Sequence, residues 1–264
     1  MWPFKRQRPE PAPAAAAIPV PAAKAQSILC IPGIWADREE LVLSIIDSSK
    51  GDYMIAGGIL FNAKEERHYT IEFCERDERM RASFAAAGKV TRVTDAFLDE
   101  IDKHKYVVYI SGETGGLTEA ENIARAGTEV LKAGGIGVKI ESAGKAFSKD
   151  TWLGLMERFN EGSLYELFVI DSITSEDGAV FSCGMHNLGM RDTIVSGEDI
   201  QDAVDLIRIF GYYQLIDKPV IKENQTFQKD QESARFRITT ERHPPYEEEG
   251  PFHNPYGVWR LTKD

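Results

Sequence analysis

From residue 27 onward, compact apolar runs alternate with amphipathic stretches, and the alternation predicts a series of strands and helices. SILCI reads as a buried strand that PGIWADR turns into a helix, with Asp37 as N-cap, Glu40 at the capping-box position and LVLSII as the apolar part. DYMIAGGILFNA and HYTIEFCE read as two strands separated by the charged turn KEER. ERMRASFAAAG reads as a helix ending at Gly88, and KVTRVT as a further strand. The resulting order, β-α-β-β-α-β, is that of a ferredoxin-like unit.

The pattern then partly recurs. TDAFLDEIDKHK is a helix capped by Thr94 or Asp95, YVVYI a buried strand and SGETGG a glycine-rich turn. LTEAENIARAGTEVLKA is a helix with Ile123, Ala124, Ala126, Val130 and Leu131 on one face. In GGIGVKIE, Gly134 is expected to form a left-handed C-cap and Gly137 to allow close packing in the next strand. Ser148 caps a helix carrying Trp152, Leu153, Leu155, Met156 and Phe159. LYELFVIDSIT and AVFSCGM read as a hairpin through SEDG, EDIQDAVDLIRIFGYYQLI as a long helix and ARFRITTE as a late strand. The expected fold is α+β, two ferredoxin-like or related α/β-sandwich halves packed together, at residues 27–105 and 106–264. Ile31-Pro32-Gly33 and Ile110-Ser111-Gly112 repeat a strand-to-glycine step, a hint of duplication too thin to establish one.

Residues 1–26 have another texture. Pro3, Pro9, Pro11, Pro13, Pro19 and Pro21 among alanines predict a disordered tail. Lys5, Arg6, Arg8 and Lys24 against Glu10 make it basic, so the remainder is more acidic than the whole-chain net charge of −11. The tail has the faint outline of a signal peptide, but its apolar stretch is short, mostly alanine and broken by Pro19 and Pro21. Insertion of Trp2 and Phe4 at a lipid surface, with Lys5, Arg6 and Arg8 on anionic headgroups, is a weak second reading. No run approaches the ~18 apolar residues of a membrane span. The acidic balance argues against general nucleic-acid affinity, and the expected location is the cytoplasm. Cys30, Cys74 and Cys183 are odd in number and far apart, which excludes a disulfide scaffold.

LCIPGIWADREELV, GGLTEAENIARAGTEVLKAGGIGVKIESAGKAFSKDTW and HPPYEEEGPFHNPYGVWRL together resemble an uncharacterised bacterial family, the domain of unknown function numbered 4261, over residues 27–261. The most characteristic element is Ala133-Gly134-Gly135 running into Val138-Lys139-Ile140-Glu141, with Gly144 and Trp152 beyond. The resemblance brings no established activity and no catalytic residue. It implies an immunity or accessory role beside contact-dependent or secreted toxins.

The candidate chemistry is sparse. Gly112, Thr114, Gly115 and Gly116 lie where backbone N–H groups cradle phosphate, yet the loop lacks the Lys-Ser/Thr of a P-loop and does not fit G-x-G-x-x-G; a structural turn is the simpler account. Cys183 and His186 are the only close cysteine–histidine pair, with no second pair to complete a zinc site and no evident nucleophile geometry. Near the end, His243, Tyr246, Glu247, Glu248, Glu249, Phe252, His253, Tyr256 and Trp259 form an acidic, aromatic, proline-punctuated segment. Its aromatics are expected to clamp it over a groove; a metal or ligand site is the competing reading. The chain is therefore read as a binding protein without a cofactor, for a protein partner of basic character. A hydrolase or transferase using the terminal His/Glu segment or the 112–116 loop, and a membrane-peripheral accessory protein, are the alternatives.

Overall fold

A computed structural model describes residues 25–247 and 250–264. The basic tail with Trp2, Phe4, Lys5, Arg6 and Arg8 therefore lies outside the described residues, as do Glu248 and Glu249. The fold is α+β, built on two sheets.

The first sheet has the order β2-β3-β4-β5-β1-β6-β7, all neighbours antiparallel. Its strands are β1 (Gln26–Gly33), β2 (Tyr53–Ala56), β3 (Ile59–Asn62), β4 (Arg67–Glu75), β5 (Tyr106–Glu113), β6 (Gly137–Ile140) and β7 (Lys145–Ser148). Alternation in β1 and β5 feeds two cores. Leu29, Ile31, Val108 and Ile110 meet α1 (Arg38–Ser48), α4 (Leu117–Lys132), α5 (Lys149–Glu157) and α6 (Glu161–Phe168). On the opposite face Cys30 and Val107 meet α2 (Met80–Ala87) and α3 (Asp95–Ile101).

The second sheet has the order β11-β12-β13-β10-β9-β8. It comprises β8 (Ile170–Thr174), β9 (Val180–Cys183), β10 (Asp192–Val195), β11 (Thr226–Gln228), β12 (Arg235–Thr240) and β13 (Val258–Lys263). Its one parallel pair is β10 with β13. Ala203, Val204, Leu206, Ile207 and Phe210 of α7 (Ile200–Tyr212) cover one face, and Tyr246 packs on the other.

Several local expectations hold. Asp37 Oδ1 accepts the Glu40 N–H at 2.9 Å, while the Glu40 carboxylate accepts from Ala36, one residue upstream of the usual capping-box partner. Thr94 and Ser148 cap α3 and α5. The five apolar residues named on α4 are fully buried. Others need correction. The stretch 53–62 is a hairpin turning at Gly57 and Gly58, not one strand. KVTRVT is no strand: Arg92 takes φ 56° and Thr91 Oγ1 donates to the Gly88 and Ala146 carbonyls, closing a turn. LYELF is helical, because Asn160 and Ser163 form a reciprocal capping box.

The ferredoxin-like strand order is consequently not formed, and the first sheet continues to Ser148 rather than ending at 105. Ile31 and Ile110 belong to adjacent strands of that one sheet, so their steps are not equivalent positions in two halves.

Trp35 locks the end of β1 to the end of α4. Its indole is buried and Nε1 donates to the Ala133 carbonyl at 2.6 Å. Gly134, at φ 117°, provides the left-handed exit from α4, and a Cβ there would lie 2.8 Å from Trp35 Nε1. Replacing Gly134 with Ala is expected to lower stability by about 1–3 kcal/mol, through backbone strain and displacement of the indole. Urea unfolding checks this, and an unchanged midpoint contradicts it.

Candidate functional site

The terminal segment does clamp. Tyr246 packs edge-on to Phe181 at 5.8 Å and donates its hydroxyl proton to the Ser182 carbonyl at 2.5 Å. Asn254 Nδ2 donates to the Met190 carbonyl (3.0 Å) and to Asp192 Oδ2 (2.7 Å). Phe252 lies against Gly144, while Trp259 is buried in β13 beneath the Arg191 guanidinium, 4.0 Å from the ring centroid. His243 and Glu247 are exposed; His243 N–H donates to Glu241. His253 is half-buried beside His186. Among the described residues no three His, Cys, Asp or Glu side chains gather at a spacing that holds a metal ion.

The clamp also packs on the 112–116 loop, whose simpler reading from sequence is a structural turn. A Cβ at Gly115 would lie 2.2 Å from the Tyr256 hydroxyl oxygen, and one at Gly189 would lie 2.3 Å from the Gly115 carbonyl oxygen. Thr114 Oγ1 donates to the Asn187 carbonyl at 2.7 Å. Gly116 begins α4 without a side-chain cap, and Glu119 bends its carboxylate to the same spot, where it meets the helix dipole. The loop is therefore packed against the turn and the terminal segment where the two sheets meet. Gly112 faces elsewhere, against Tyr69.

Cys183 ends β9 and His186 lies in the 3-10 turn Met185–Leu188. Both are buried, and burial pushes the Cys183 thiol well up and the His186 imidazole down to about 4, the latter helped by His253. A reactive thiolate needs the reverse shift. His186 Nδ1 has no hydrogen-bond partner among the described residues. Nearby, Asp192 is wholly buried; it accepts from Ser182 Oγ (3.1 Å), Met185 N–H (3.2 Å) and Asn254. Burial raises its carboxyl to about 6 against the opposing hydrogen bonds.

Tyr256 and Trp259 line one concavity together with Arg191 and Lys218. Two others have a distinct charge pattern, and of their linings only Gly112, in the first, is among the sequence candidates. One, of about 680 Å³, lies at the ends of β4 and β5 and is lined by Glu65, Glu66, Glu113 and Glu119, with Gly112, Arg67 and His68 among its other walls. The second lies where the two sheets meet. There Lys145, at the start of β7, sends Nζ to the Val169 carbonyl (2.8 Å) and the Glu166 carbonyl at the end of α6. Burial pushes its ammonium down to about 8, partly offset by Asp171 and Glu166. Lys89, Arg92, Asp171, Arg208 and Tyr212 share this cleft. Its signals in sequence, one lysine in a short strand and two cations in a turn misread as a strand, belong to no motif.

No family model, curated protein or solved structure matches the chain. No described helix is long and apolar enough to cross a membrane.

The buried pair gives opposing pH dependences. His186 takes up a proton in the unfolded chain near 6.5 but in the fold only near 4, so its contribution falls as pH drops between these values. Asp192 is protonated in the fold near 6 but in the unfolded chain near 3.8, so its contribution is fully present below 3.8 and lost as pH rises through 6. Each effect is on the order of 3 kcal/mol. Asp192→Asn is expected to steepen the loss of stability between pH 6.5 and 4, and His186→Gln to reverse its sign. Urea midpoints measured across that range decide, and curves parallel to the wild type contradict the assignment.

Proposed function

We propose that the protein acts by binding a basic polypeptide, and that the partner lands on the acidic concavity at the ends of β4 and β5. The observation that carries this reading is the convergence of Glu65, Glu66, Glu113 and Glu119 on one cavity, in a chain of net charge −11. A concave wall of one sign concentrates field lines and speeds encounter with an oppositely charged partner. Arg67 and His68 on the same rim supply contrast within the field, so that charge position as well as total charge selects the partner. The interior groups with nucleophilic or acid–base chemistry, Cys183, His186 and Asp192, are buried instead of facing this cavity. An immunity or accessory role, implied by the family resemblance, is compatible with a binder of this kind.

A labelled oligolysine peptide is the probe, followed by fluorescence anisotropy. Wild-type binding is expected to weaken as salt rises. Glu65→Lys with Glu66→Lys, both exposed, is expected to weaken it roughly tenfold or more. Glu176→Lys with Asp202→Lys, exposed on the second half, makes the same charge change and is expected to have a small effect. Equal losses from the two pairs would reduce the effect to bulk charge and remove the concavity from the account.

A further inference from the structure

We propose that the cleft where the two sheets meet binds a small phosphate-bearing molecule. Two adjoining cavities, of about 510 and 500 Å³, share Val90, Lys145 and Glu166. Lys89, Arg92 and Arg208 line one of them and Arg158 the other. Five cations thus meet three carboxylates, Asp150, Glu166 and Asp171, in a protein whose overall charge has the opposite sign.

Asp171 is already neutralised. It receives Arg208 Nε at 2.7 Å and a second guanidinium N–H at 3.1 Å. That leaves four cations against two carboxylates, an excess that a phosphate dianion balances and a monocarboxylate does not. Among the described residues Lys89, Arg92 and Arg158 have no ion-pair partner, although eleven other ion pairs are formed.

The positions of these cations argue for use. Arg92 holds φ 56°, a conformation that favours glycine or asparagine, in a turn fastened to β7 by Thr91. Lys145 is a buried ammonium with three N–H bonds, of which two go to the Glu166 and Val169 carbonyls. One donor therefore remains at the floor of the cleft. Tyr212, stacked on Tyr165 with ring centroids 4.5 Å apart, forms a flat wall against which the rest of a ligand can lie. Sites between packed halves commonly combine an aromatic wall with a few convergent charges in this manner.

Inorganic phosphate is the probe and acetate the comparison, each titrated into the full chain at constant ionic strength while thermal unfolding is followed. Phosphate is expected to raise Tm in a saturable way through preferential binding to the native state, and acetate to do so far less. The paired exposed substitutions Lys89→Ala and Arg92→Ala are expected to leave Tm without phosphate near the wild-type value and to weaken phosphate binding roughly tenfold. Lys145→Met is expected to abolish it. Should that variant not fold, the Lys89/Arg92 pair decides alone. Glu65→Lys with Glu66→Lys should leave the phosphate effect intact, which separates this site from the acidic one. No saturable shift, an equal shift with acetate, or an unaltered shift in the Lys89/Arg92 variant overturns the proposal.

Discussion

Asn187 has no solvent exposure, and its polar groups bind together segments far apart in the chain. Its Oδ1 accepts from Ser27 at the start of β1 (2.5 Å) and from Ser142 in the turn between β6 and β7 (2.9 Å). Its Nδ2 returns to the Gly184 carbonyl, and its own carbonyl takes the Thr114 hydroxyl at the end of β5. Buried amides are expensive unless each donor and acceptor is met, so this arrangement strongly favours one mutual placement of the two sheets. The 3-10 turn containing Asn187 also puts Met185 and Leu188 into the core of the first sheet. The joint is therefore both polar and packed.

That constraint shapes what each surface can do. With the turn pressed on residues 114–116, the glycine loop packs into the joint between the sheets. The terminal segment then runs over the same joint, and its Asn254 and Tyr246 enclose Asp192 and Ser182. Among the concavities left accessible are the acidic one at the ends of β4 and β5 and the cationic one between β7, α6 and α7.

The legibility of the sequence divides along physical lines. Elements with their own caps and periods could be read: α1 from Asp37 and Glu40, α4 from its apolar face, α7 from its long amphipathic run. Elements defined by tertiary context could not. Lys145–Ser148 and Asp192–Val195 are too short for alternation to register, and Leu164–Phe168 is buried on nearly every side, which erases the distinction between helix and strand. The valines and threonines of KVTRVT have the composition of a strand, but Arg92 and the Thr91 hydroxyl bend them into a turn. That misreading hid two of the cations in the inter-sheet cleft, and a local rule broken at a charged concavity is where such failures are expected. The aromatic clamp was legible because prolines rule out a helix there and leave large rings to anchor the chain. Which atoms they anchor depends on Asp192 and Asn187, whose importance arises only from burial.

The place of β13 has a consequence for how the molecule is made. It sits between β12 and β10, so the middle of the second sheet comes from residues 258–263. Until those residues have been synthesised, β10 lacks its parallel neighbour and α7 faces a sheet without Trp259 or Leu261. The first sheet, complete by Ser148, has its strands available much earlier. Closing the second sheet therefore depends on a contact between segments far apart in sequence, β13 with β10, whereas the strands of the first sheet all lie within residues 26–148.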